Sequence, residues 1–189
     1  MSAIFVTGPV GVGKSTLLRR VIDFCAHESK IYGFCTEKVS DSGRTGSLGK
    51  VFIYPALGPP CQDDEHCVAD ILSLNSFNIH TAVFETRGIA LLSDIPQGSV
   101  VMMDELGFLE STAPEFCKKV FEIISGNYIV LGAIKPVARP FLDAVRTNPS
   151  VSLFEITEQN RDSAAKELIS AFRTVLESKE NNSGEFPYV

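Results

Sequence analysis

Gly8-Pro9-Val10-Gly11-Val12-Gly13-Lys14-Ser15 matches the pattern G-x-x-x-x-G-K-[ST] at every fixed position. Backbone N–H groups can reach phosphate oxygens only where no side chain intervenes, and Gly8, Gly11 and Gly13 keep that approach open. The pattern implies a cradle over residues 8–16, with Pro9, Val10, Val12 and Thr16 completing it around a nucleotide's phosphates. Lys14 then reaches the β- and γ-phosphates, and the Ser15 hydroxyl takes a place on Mg²⁺. Such a loop needs a strand before it and a helix after it. Ala3-Ile4-Phe5-Val6-Thr7 reads as a short buried strand. From Lys14 to His27, Leu17, Leu18, Val21, Ile22 and Cys25 recur at helical spacing. The helix's open N-terminus favours the same anion.

Outward from this loop, strand and helix signals alternate. Residues 30–38 and 48–54 read as a hairpin around the polar turn Ser40 to Arg44. The stretch from Pro55 to Asp70 reads as a loop, and a helix is expected over Phe77 to Leu92. Val100-Val101-Met102-Met103 is a continuous apolar strand. Thr112-Ala113-Pro114-Glu115 has capping-box form ahead of the stripe Phe116, Val120, Ile123. Further strands are expected over Tyr128 to Ile134 and Val151 to Ile156, with helices over Arg139 to Arg146 and Asn160 to Glu177. Apolar strands between amphipathic helices imply an α/β fold: a mainly parallel central sheet covered on both faces, with an added β-hairpin. The pattern fits one domain over residues 1–178 and a polar tail over 179–189.

The 189 residues are 44% hydrophobic and 21% charged, enough apolar material for a packed core. Lys and Arg number 17 against 23 Asp and Glu, a net charge of −6. That balance argues against extended nucleic acid and anionic membranes as partners. No apolar run approaches the ~20 residues of a membrane span. The first residues have no basic stretch of a secretory leader, and the five cysteines are an odd number, so reduced thiols and a cytoplasmic location are expected. No protein partner is identified, and the acidic stretch 61–70 is the feature to test for one.

A loop that binds phosphates hydrolyses nothing unless a carboxylate manages the metal and another group orients water. Asp104 and Glu105 end the apolar strand that starts at Val100. Asp104 suits a metal-holding role, and Glu105 suits a general base facing the γ-phosphate. The transition state also calls for a further cation. Lys135 and Arg139 follow the third apolar strand, where loops face the ligand in an open α/β sheet. Arg44 and Arg87 are alternatives that read as solvated surface charges. Asn160-Arg161 is placed to contact the base, or else Thr157 and Asn160 cap the last helix. No Asn-Lys-x-Asp base-reading motif is present. Cys61-Gln62-Asp63-Asp64-Glu65-His66-Cys67 offers zinc-type ligands, but at a spacing unlike structural zinc pairs.

Other segments extend the pattern: Gly33-Phe34-Cys35-Thr36-Glu37, Asp104-Glu105-Leu106-Gly107, Leu131-Gly132-Ala133-Ile134 and Thr157-Glu158-Gln159-Asn160-Arg161-Asp162. With the loop and Gly43-Arg44 they occur in one order across residues 3–165. In this the chain resembles the small P-loop nucleoside-triphosphatases, the cancer-related nucleoside-triphosphatase family. The resemblance implies a RecA-like or adenylate-kinase-like three-layer domain that slowly hydrolyses several nucleoside triphosphates with Mg²⁺, using Asp104 and Glu105 in the roles given above. Three departures stand out, the first being the segment Arg44-Thr45-Gly46-Ser47-Leu48-Gly49, looser than the family's Arg-x-Gly-Phe pattern. The family usually follows Asp-Glu-Ile-Gly with Lys-Met-Glu, where this chain has Phe108-Leu109-Glu110, and residues 55–70 match nothing in it. Two other uses of the same loop remain open: a nucleotide or small-molecule kinase, and a nucleotide-gated switch with very slow hydrolysis.

Overall fold

Strand β1 (Ala3–Thr7) is buried along its whole length, as its unbroken apolar run requires. The computed structural model describes residues 3–25, 30–40 and 48–183, so Arg44 and the turn around it lie outside the described residues. Eight strands form one sheet in the order β5-β4-β3-β2-β6-β7-β1-β8. β2 (Ile31–Ser40), β6 (Val100–Leu106), β7 (Ile129–Ile134), β1 and β8 (Val151–Glu155) are parallel neighbours. β3 (Gly49–Pro55), β4 (Cys67–Ser73) and β5 (Ser76–Ile79) continue from β2 as an antiparallel wing.

Alternate residues of each central strand feed opposite cores. Ile4 and Val6 pack with α1 (Lys14–Cys25) and α6 (Arg161–Ser183). Ala3 and Phe5 pack on the other face with α4 (Pro114–Ser125) and α5 (Pro140–Arg146). A helical run over 81–91 covers that second face too: α2 (Thr81–Val83), a π-turn (Phe84–Gly88) and α3 (Ile89–Leu91). The result is a three-layer α/β sandwich. Gly132 of β7 stands opposite Phe5 of β1, and a Cβ there would lie 2.4 Å from the Phe5 ring. Only glycine leaves space for that ring between adjacent strands.

Several expectations need correction. Residues 67–79, expected as loop up to Asp70 and as helix from Phe77, form the β4–β5 hairpin, in which half-buried Phe77 and Ile79 alternate with exposed Ser76 and Asn78. The helical run therefore starts at Thr81, not Phe77. The capping box does not form. Ala113 is the N-cap of α4 with Pro114 at its start, and the Thr112 hydroxyl instead donates to the Leu109 carbonyl. The first turn is capped from outside the helix. The Glu85 carboxylate in the π-turn accepts from the N–H groups of Glu115 and Phe116, each at 3.1 Å. The last helix, expected to stop at Glu177 before a tail, runs on to Ser183.

Candidate active site

α1 leaves β1 toward one face of the sheet, while α5 leaves the neighbouring β7 toward the other. Adjacent strands whose following helices diverge open a crevice at their carboxyl ends. The loop 8–13 follows β1 and residues 135–139 follow its parallel neighbour β7, so both segments emerge at the carboxyl ends of the sheet. The end of β6 carries Asp104 and Glu105 next to β7.

In the loop Gly8, Gly11 and Gly13 have φ of +151°, +80° and +101°. A Cβ on Gly8 would lie 2.2 Å from the Ile156 carbonyl oxygen, so the loop's first residue can only be glycine. At Gly11 and Gly13 a Cβ would meet nothing within 4 Å, so both open onto unfilled space. Val10 is fully out in solvent at the loop's tip. Lys14 begins α1 and is 6% exposed. Burying an ammonium demands partners. Its Nζ donates to the Gly8 and Pro9 carbonyls at 3.0 and 3.1 Å and pairs with Glu105 Oε1 at 3.5 Å.

The Ser15 hydroxyl donates to Asp104 Oδ1 at 3.0 Å. Asp104 is 4% exposed, and burial pushes its carboxyl up to about 6, with Glu105 adding to the rise and Ser15 opposing it. Glu105 Oε1 is buried without a hydrogen bond among the described residues and is paired with the Lys14 charge. A hydroxyl, a carboxylate and a second unsatisfied carboxylate oxygen thus converge beside the loop's lysine.

A cavity of about 280 Å³ lies behind the loop, lined by Gly11, Val12, Gly13, Thr16, Leu17, Arg20, Ile156, Arg161 and Ala165. Arg161 lines this cavity. Asn160 is not available, which makes the capping alternative the correct one for that residue. Its Oδ1 accepts from the Thr157 N–H at 2.7 Å, its own N–H donates to the Thr157 hydroxyl at 3.3 Å, and its Nδ2 donates to the Glu155 carbonyl at 3.1 Å.

The cation candidates separate clearly. Lys135 closes against the turn after β6: its N–H donates to the Leu106 carbonyl at 2.9 Å and its Nζ lies 5.5 Å over the Phe108 ring. Arg139 is exposed at the N-cap of α5. Arg146 holds the connecting loop, donating to the carbonyls of Lys135 and Val137. Arg87 pairs with Glu65 in the 61–66 loop and so belongs to that loop's anchoring. Cys61 and Cys67 donate to separate carbonyls, of Pro59 and Ala69. Among the described residues no group of three or more His, Cys, Asp or Glu is placed to hold a metal.

Three site residues went unread in the sequence. The Thr36 hydroxyl accepts from the Glu105 N–H at 3.3 Å and donates to the Asp104 carbonyl at 3.5 Å, where the β2–β6 ladder stops. Arg19, one helical turn after Ser15, bears its positive charge on Asp104. Glu110 is 3% exposed, and its Oε2 accepts from the Gly107 N–H at 2.9 Å. The Ser15-to-Arg19 spacing is legible as one helix face, whereas Thr36 and Glu110 stand in the sequence only as members of the segments Gly33–Glu37 and Phe108–Glu110, with no role attached to either.

A family model described as NTPase matches residues 3–169. A nucleoside-triphosphatase THEP1 of Thermotoga petrophila is 26% identical over 167 residues, covering 88% of this chain and 90% of that one. A cancer-related nucleoside-triphosphatase homolog of Bos taurus is 28% identical over 182 residues, covering 88% of this chain and 94% of the other. The crystal structure of THEP1 from Aquifex aeolicus shares the fold with a TM-score of 0.70 at 24% identity, covering 91% of this chain and 99% of that one.

Proposed function

The chain belongs to the NTPase family, and we propose that it hydrolyses nucleoside triphosphates to the diphosphate and inorganic phosphate in a Mg²⁺-dependent reaction. One observation carries this reading: Ser15–Asp104 and Lys14–Glu105 converge at the mouth of the loop 8–13. Ser15 and Asp104 offer the hard oxygen ligands that Mg²⁺ prefers, and a carboxylate pushed up by burial gains from a neighbouring cation. When bound, Mg²⁺ would neutralise charge on the β- and γ-phosphate oxygens. Lys14 and the N–H groups of the first turn of α1 bind those oxygens. The Glu105 carboxylate orients a water and takes its proton as the water oxygen bonds to the γ-phosphorus. The bond from that phosphorus to the β–γ bridging oxygen breaks, and the nucleoside diphosphate keeps the oxygen. Lys135, just after β7, adds positive charge as the γ-phosphoryl group transfers.

The cavity behind the loop supports tolerance of the base. Its lining is aliphatic apart from Thr16 and the arginines Arg20 and Arg161, and the Asn160 amide is occupied in the turn. Guanidinium planes stack on any base, whereas reading one base edge needs paired donors and acceptors. Phosphate release from ATP, GTP, CTP and UTP, with MgCl₂ and with EDTA, tests the reading. Release from all four that EDTA abolishes is the expected result. Silence until a phosphoryl acceptor is added would identify a kinase instead, and bound triphosphate that persists unhydrolysed would identify a switch.

A further inference from the structure

We propose that Glu110 is a positioning residue for hydrolysis, holding Lys135 and the turn after Glu105 in one fixed arrangement. This rests on the reading of Lys135 as the cation that aids phosphoryl transfer. Glu110 is 3% exposed, yet none of the steps above uses its carboxyl group. Burying a carboxyl without a role costs stability, because apolar side chains of similar volume fill such places at least as well.

The geometry gives it a role. Its Oε2 accepts from the N–H of Gly107, two residues beyond Glu105. A Cβ on Gly107 would lie 3.3 Å from that Oε2 and 3.2 Å from Lys135 Cδ, so the carboxyl group and the lysine stem close on one point of the turn. The Lys135 N–H bonds the Leu106 carbonyl, and its Nζ sits over Phe108, which in turn packs edge-on against Phe77 of β5. The charges couple as well: Lys135 favours the carboxylate form of Glu110 and Glu105 opposes it. The turn after the general base and the cation opposite it thus share one anchor. Removing that anchor releases both without touching the phosphate cradle.

The test compares E110Q, K135M, the double variant and G107A by phosphate release, nucleotide affinity and melting temperature. E110Q keeps the shape and an acceptor oxygen but loses the charge, so turnover is compared at about pH 8.5, where burial no longer keeps the parent's Glu110 protonated. The variant should bind nucleotide as the parent does while kcat falls about ten- to a hundredfold. The double variant should be no slower than K135M, because the two act as a unit. G107A, which crowds Lys135 and Glu110 while leaving both charges, should also lower kcat with affinity intact, and it decides the matter if E110Q does not fold. A parental kcat in E110Q or in folded G107A, beside a slow K135M, overturns the proposal alone. Losses that multiply in the double variant also overturn it. A parental kcat in K135M overturns the reading of Lys135 on which it rests.

Discussion

Two carboxyl groups near the crevice are held above their ordinary range by burial, Asp104 up to about 6 and Glu110 up to about 7. For Glu110 the folded chain keeps a proton that the unfolded chain releases near 4.5. Between those values the folded state binds more protons, so its stability falls as pH rises. The contribution is full below about 4.5 and lost above about 7. For the nucleotide-free protein a shift of this size amounts to about 3 kcal/mol. Urea midpoints taken from pH 4.5 to 7.5 should therefore decline, and E110Q should flatten the upper part of the decline. A wild-type midpoint that rises over that range would contradict the assignment. At the same scale, if Ser15 and Asp104 hold Mg²⁺ as proposed, D104N should weaken Mg²⁺ activation, shifting the Mg²⁺ concentration for half-maximal turnover upward. An unchanged Mg²⁺ titration would remove Asp104 from the site.

At the scale of elements, the connection between the π-turn and α4 is the least expected device. Glu85 supplies the acceptors that Thr112 and Ala113 do not, tying the helical run 81–91 to α4 across the second core face. Glu85→Ala should lower stability by about 0.5–2 kcal/mol, the range for loss of an N-terminal cap, read as a shift of the urea midpoint with unchanged slope. Gly132→Ala forces a methyl group into the Phe5 ring and the Met103 carbonyl, and should cost about 1–3 kcal/mol. Both effects are invisible locally. The apolar run of β1 and the helical stripe of α1 were readable because periodicity and burial agree there. The box at Thr112 was misread because a proline one residue past Ala113 moves the helix start and frees the threonine hydroxyl for a carbonyl behind it. The β4–β5 hairpin is hard to read because Cys67 to Ile71 show no clean alternation and β5 alternates over only four residues, so pairing with β3 is what reveals it. Asn160 was ambiguous for a related reason, since the same amide can cap a turn or read a base.

For the whole molecule, one sheet carries two cores and gathers its chemistry at the ends of β1, β6 and β7, while the wing β3–β5 extends from the far side of β2. Among the described residues no helix is long and apolar enough to cross a membrane. The net charge of −6 does not oppose a triphosphate, because Lys14, the open end of α1, Arg19 and Arg161 act locally. Mass action then predicts thermal stabilisation by nucleotide with Mg²⁺, about 2.7 kcal/mol at a ligand concentration one hundred times Kd. A non-hydrolysable triphosphate should raise Tm in the parent, and K14A should abolish the rise. An equal rise in K14A would place nucleotide elsewhere on the chain.

In the proposed reaction Glu105 activates water over a loop that binds the triphosphate without its help. E105Q tests it most directly, with nucleotide affinity and phosphate release measured on the same preparation at saturating Mg²⁺. Affinity should stay close to the parent's while turnover falls by about a hundredfold or more. Parental turnover in E105Q would contradict that role for Glu105.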